Sequence, residues 1–75
     1  MNNHVDNNGL IWEDILYSRP REGAKCLGKQ YGEEGYVGGC IYTDGYFETS
    51  MRHSNRVEIT RWRVDLWRYV DGEVG

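Results

Sequence analysis

The stretch that most constrains this chain is Val57 to Tyr69, VEITRWRVDLWRY. It is too long, too β-branched and too aromatic for a loop, and its apolar residues alternate with charged ones at the period of a half-buried strand. Val57 and Ile59 share one parity, while Trp62, Val64 and Leu66 share the other. One face can hold both sets only with an inserted residue, so the pattern predicts a β-bulge near Thr60–Arg61. With Trp62, Val64 and Leu66 turned to the core, Arg61, Arg63, Asp65, Trp67 and Tyr69 line the opposite face.

The remainder must supply partners for that strand. Asp44-Gly45 fits the centre of a two-residue type I′ turn, which needs positive φ at both positions. It sets Thr43 opposite Tyr46, Tyr42 opposite Phe47, Cys40 opposite Thr49 and Gly38 opposite Met51. One face of that hairpin carries Tyr36, Cys40, Tyr42, Phe47 and Met51, a candidate core layer. Ala24 to Tyr31 reads as another strand, with Gly28 marking a bulge or an edge. Its pattern is not cleanly amphipathic, because Lys25 and Lys29 share parity with Leu27 and Tyr31. Arg21–Gly23 is a turn, and Gly32-Glu33-Glu34-Gly35 is a hairpin loop.

Upstream, Ile11, Trp12, Ile15 and Leu16 sit at helical spacing, with Asn7 or Asn8 as a cap and Ser18-Arg19-Pro20 as the stop. Two helical turns are expected there, with a short strand as the alternative. Residues 1–9 are Asn-rich and expected to fray, 10–70 form a single small domain, and 71–75 are a short acidic tail. The expected fold class is α+β: a four-stranded antiparallel meander with one short N-terminal helix.

Seventy-five residues bury only about 60% of their unfolded surface, so the core is marginal. Three Trp, six Tyr and one Phe supply much of its apolar area, and a homodimer would add to it. Net charge is −3, which argues against a globally basic nucleic-acid binder. The charge is uneven: residues 52–70 hold five arginines against Glu58 and Asp65, a local +3. With two cysteines, no recognisable signal peptide and no long apolar run, the expectation is a cytoplasmic protein with reduced thiols and no membrane contact.

Chemistry-bearing constellations are few. Cys26, Cys40, His4 and His53 lack the spacing of a zinc site, so no metal or other cofactor is expected. Cys40 and His53 would lie roughly 10 Å or more apart on the hairpin, beyond direct activation of the thiol. Adjacent carboxylates, Glu13-Asp14 and Glu33-Glu34, point apart on helix or strand and make no acid/base couple. YGEEGYVGG lacks the Gly-Lys-Ser/Thr of a phosphate loop.

What remains is an arginine and aromatic set: Arg61, Arg63, Trp67, Arg68 and Tyr69, extended across a neighbouring strand by Tyr46. Such residues dominate protein-binding hot spots and also stack single-stranded bases. The competing reading makes Trp67 and Tyr69 a second core layer.

The order of landmarks, IWEDI at 11–15, RPREGAKCL at 19–27, GYF at 45–47 and ITRWRVDL at 59–66, resembles a family of small phage and prophage proteins. Those members run W-I-x-V, then L-P-x-x-G, then T-H-W-x-P-L-P. Here Arg61 replaces the histidine, and Arg63-Val64-Asp65-Leu66 fall where the family is proline-rich. The resemblance implies a phage-encoded accessory protein that binds and inhibits a larger host protein, such as a defence or transcription factor, in the host cytoplasm. It carries over no catalytic residue. A non-enzymatic binding module is therefore the expected function, with nucleic-acid binding through the same face as the alternative.

Overall fold

The computed structural model describes residues 3–70 and shows an all-β chain. Seven strands are present: β1 Asn3–Val5, β2 Ile11–Asp14, β3 Lys25–Lys29, β4 Val37–Thr43, β5 Tyr46–Arg52, β6 Val57–Trp62 and β7 Leu66–Tyr69. They form one sheet in the order β1-β2-β7-β3-β4-β5-β6, and every neighbouring pair is antiparallel. This corrects the α+β expectation: there is no helix among the described residues, and the sheet has seven strands rather than four. No helix of the described residues is long and apolar enough to cross a membrane. The acidic tail expected at 71–75 lies outside the described residues.

The expected helix is strand β2. Trp12 and Asp14 share parity and are both buried, whereas Ile11 and Leu16, which the helical pattern needs on its apolar face, are exposed. Asp6 acts as a turn residue rather than as a neighbour of a helix cap. Its carboxylate accepts the backbone N–H of Asn8 and of Leu10 and the indole N–H of Trp12 at 2.8–2.9 Å. Those bonds close the β1–β2 hairpin, so residues 3–5 within the segment expected to fray pair with β2.

The long strand expected over 57–69 is two strands. β7 inserts between β2 and β3, at the far side of the sheet from β6. In a flat sheet β6 and β7 would lie four strand spacings apart, roughly 19 Å. The chain from Trp62 to Leu66 spans at most roughly 14 Å when extended. The sheet therefore curls, and residues 63–65 bridge its open side; the bulge expected near Thr60–Arg61 is absent, since β6 pairs with β5 in unbroken register from Val57 to Trp62. Val64 on this bridge drops into the concave face with Ala24, Cys26, Cys40, Tyr42, Phe47 and Trp67, the main buried cluster. It lies directly over Gly28, where a Cβ would come within 2.6 Å of a Val64 methyl. Gly28 also sits where the β3–β4 register slips, a bulge in an interior strand. On the convex face a second layer forms from Trp12, Asp14, Lys29 and Leu66, all buried.

The Asp44-Gly45 turn has φ of 53° and 85°, with Thr43↔Tyr46, Tyr42↔Phe47 and Ile41↔Glu48 in register. The β4–β5 pairing ends there. The expected pairs Cys40/Thr49 and Gly38/Met51 are replaced by continued pairing of β5 with β6, from Phe47↔Trp62 to Arg52↔Val57. Beyond Glu48, then, the last two strands leave the body as a two-stranded arm, consistent with a molecule 45 Å long and 23 Å across. Met51, expected in the core layer, is exposed for this reason. Tyr36, expected there too, is exposed because the β3–β4 register slip turns it to the other face, where its ring lies 5.8 Å from that of Trp12.

Candidate binding surface on the β5–β6 arm

Each strand's hydrogen-bonding phase follows from its turns. In a two-residue turn the closing pair is hydrogen-bonded, so Tyr46 and Glu48 direct their backbone groups at β4. Phe47, Thr49 and Met51 then direct theirs at β6. At the other end of β5, His53 N–H donates to the Arg56 carbonyl at 2.8 Å, which gives the same phase. Glu58, Thr60 and Trp62 therefore bond β5, and the N–H and C=O groups of Val57, Ile59 and Arg61 point outward from the edge of the sheet. All six residues of β6 are exposed.

The side chains divide between two faces. On one, Arg61 bonds Glu48 through Nε at 2.8 Å and lays its guanidinium 4.1 Å from the centre of the Tyr46 ring. That carboxylate bond holds the Arg61 pKa above its ordinary value. Val57 and Ile59, 54% and 60% exposed, continue this face toward the tip. On the other, Trp62 donates its indole N–H to the Thr49 hydroxyl at 2.8 Å and remains 41% exposed, with Met51, also exposed, farther along this face toward the tip. From Glu48 to Arg63 the arm and the first residue of the bridge together carry four arginines against two carboxylates, a local +2 on a chain of −3.

The expected surface set is split by this geometry. Tyr46 and Arg61 meet on the arm. Arg63 stands on the bridge to β7, its side chain 79% exposed and 3.9 Å from Asp65. Arg68 is half-buried on the convex face of the body, opposite Leu27. Trp67 is core, and Tyr69, half-buried, packs against the same cluster. Trp67 is 4% exposed, donates its indole N–H to the Ser18 carbonyl at 3.0 Å, and stacks edge-on against Tyr69 with ring centres 5.0 Å apart. The Tyr69 hydroxyl accepts the Arg21 backbone N–H at 2.9 Å. Both rings thus pack with Val64 in the main cluster rather than in a second layer on the face opposite it. Trp62, expected in the core, is the tryptophan that reaches solvent.

A second group of polar side chains lies at the other end of the sheet. Asp14 accepts the Tyr31 hydroxyl at 2.6 Å and lies 3.3 Å from His4 Nε2. This bond pushes the Tyr31 pKa up to about 12 and, with the Leu16 backbone N–H, holds Asp14 below its ordinary value. Lys29, 9% exposed, places its ammonium 4.7 Å from the centre of the Trp12 ring, at the base of a cleft of about 540 Å³ rimmed by Asp6, Glu33 and Glu34. The sequence signal for this cluster was the position of Lys29 on the parity of Leu27 and Tyr31. Cys26 and Cys40 are cross-strand neighbours in the buried cluster, and burial pushes the Cys40 thiol pKa up. Among the described residues, no three His, Cys, Asp or Glu side chains gather as a metal site would require.

A scan against family models and searches of curated proteins and of solved structures match nothing to this chain.

Proposed function

We propose that this chain is a non-enzymatic protein-binding module that docks through its β5–β6 arm. One observation carries the reading: two strands leave the packed body and expose Met51, Val57, Ile59 and Trp62 beside Arg52, Arg56, Arg61 and Arg63. A lone two-stranded ribbon is marginal in water, so an arm of this kind gains stability from whatever it touches. Exposed apolar residues rimmed by charge are the pattern of an interaction site, and Trp and Arg are its usual anchors. The landmarks shared with small phage proteins make a larger host protein the natural target class, with inhibition by covering a functional surface.

Capture of the tagged chain's partners from bacterial lysate, with and without nuclease, tests this. The expected result is a stoichiometric protein that survives nuclease. It should be lost from the Arg61→Glu/Trp62→Ala double variant and kept by a Lys25→Glu control on the body. A partner bound equally by all three proteins would sink the proposal.

The local +2 of the arm together with Arg63 favours nucleic acid as the second reading. In that case all retained material disappears with nuclease, and affinity for a single strand falls with salt at a log–log slope of about −0.7 per contacted phosphate.

A further inference from the structure

The outer edge of β6, unpaired among the described residues, has a feature that the faces of the arm do not. Six residues pair with β5 without a register break, and β6 contains no proline, no lysine and no bulge, the usual blocks against edge pairing. Its outward backbone groups belong to Val57, Ile59 and Arg61. They sit on alternate residues, as a further antiparallel strand requires. The edge holds one glutamate and one arginine, so it repels neither sign of charge.

We infer that β6 pairs antiparallel with β6 of a second copy, joining the two arms into a four-stranded ribbon about a two-fold axis normal to the sheet. The symmetry allows few registers, and charge and hydrogen bonding choose among them. A two-fold of this kind keeps each face continuous and sets residues of equal parity opposite one another. With Ile59 opposite Ile59 of the second copy, Val57 faces the second copy's Arg61, and every outward N–H and C=O of Val57, Ile59 and Arg61 finds a partner. Sliding one pair toward the tip sets Glu58 against Glu58, a like-charge pair directly across the ladder. Sliding the other way sets Thr60 on the axis and leaves the outward groups of Val57 without a partner inside β6. The first register is therefore selected.

In that register Val57 and Ile59 of both copies form one apolar row across the centre of the ribbon. A Glu48–Arg61 pair flanks the row at each side. Four strands with an apolar face meet the requirement for independent stability that each two-stranded arm fails alone. The inference goes beyond the partner-binding proposal: the dimer uses the edge of β6, and a partner protein uses the faces of the arm.

Sedimentation equilibrium of the full chain tests it. A monomer–dimer equilibrium is expected below about 1 mM protein. Val57→Lys places a cation opposite the second copy's Arg61 twice per dimer and should weaken dimerisation about tenfold or more. Val57→Glu, at the same half-exposed position, places a carboxylate there instead and should keep dimerisation or tighten it. Far-UV circular dichroism and the melting temperature verify that both variants fold, as the exposure of Val57 leads one to expect. A chain that stays monomeric to about 1 mM overturns the inference. So does a dimer that responds alike to Val57→Lys and Val57→Glu. Dimerisation with failed partner capture would refute the functional proposal alone, and a monomer that still captures its partner would refute only the dimer.

Discussion

Gly28→Ala is the substitution that most directly probes how the sheet is closed. A Cβ at this position would lie 2.6 Å and 3.1 Å from the two Val64 methyls and 3.5 Å from Val64 Cβ. Val64 cannot easily turn away, because branching at Cβ restricts its χ1, and the buried cluster surrounds it. Overpacking of this kind costs about 1–3 kcal/mol. Against that, alanine restricts the unfolded chain and returns about 0.4–1 kcal/mol. Midpoint against midpoint, the net expectation is destabilisation by about 1.3 kcal/mol. Each kcal/mol lowers the melting temperature of a domain this size by roughly 4–8 °C. Urea denaturation followed by tryptophan fluorescence measures it. The double variant Gly28→Ala/Val64→Ala removes the clash, so it should be more stable than the sum of the single changes predicts, by about 1 kcal/mol or more. If Gly28→Ala is as stable as the parent, or if the two changes are additive, residues 63–65 do not bridge the sheet over Gly28.

The other expectations concern core rings, titration and thiols. Trp67→Ala should cost about 3–5 kcal/mol, as for other buried aromatic truncations. Trp62→Ala should cost only about 1 kcal/mol, the scale of its single hydrogen bond to Thr49; paired urea titrations separate the two. Tyr31 has a folded-state pKa of about 12 against an ordinary 10.0, so its contribution is complete below pH 10 and is lost between about pH 10 and 12. Tyr31→Phe should remove that alkaline limb from a plot of melting temperature against pH. Asp14 is shifted the other way. Its contribution is present above the ordinary 3.8 and is lost as pH falls through its lowered value, a loss that Asp14→Asn should blunt. Cys40, buried and with its thiol pKa raised, should react with a thiol reagent only on unfolding, which absorbance with and without denaturant reports.

The parts of the fold legible in the sequence were those set by local chemistry. Asp44-Gly45 needs positive φ at both positions, and this alone fixed the β4–β5 register. The β2 strand was harder to read, because a short apolar run fits helix and strand alike. Its identity depends on β7, more than fifty residues away in the chain. The parity switch within 57–69 was a true signal with a different cause. Val57 and Ile59 follow no core parity because they face solvent on the arm, and the core parity resumes only after the bridge. For the same reason Trp62 and Trp67 exchange roles. Pattern arguments assume that large apolar side chains seek the interior, so they cannot show an exposed arm. The Lys29–Trp12 contact was visible only as an irregularity, since a cation on a ring has no periodicity of its own.

The central claim is that β5 and β6 form a folded arm with an open outer edge, and amide hydrogen exchange tests it residue by residue. At protein concentrations low enough to hold the chain monomeric, Glu58, Thr60 and Trp62 should exchange slowly and Val57, Ile59 and Arg61 fast. Uniformly fast exchange along β6 would mean that the arm does not form. Uniform protection in the monomer would mean that its edge is already covered by the chain itself.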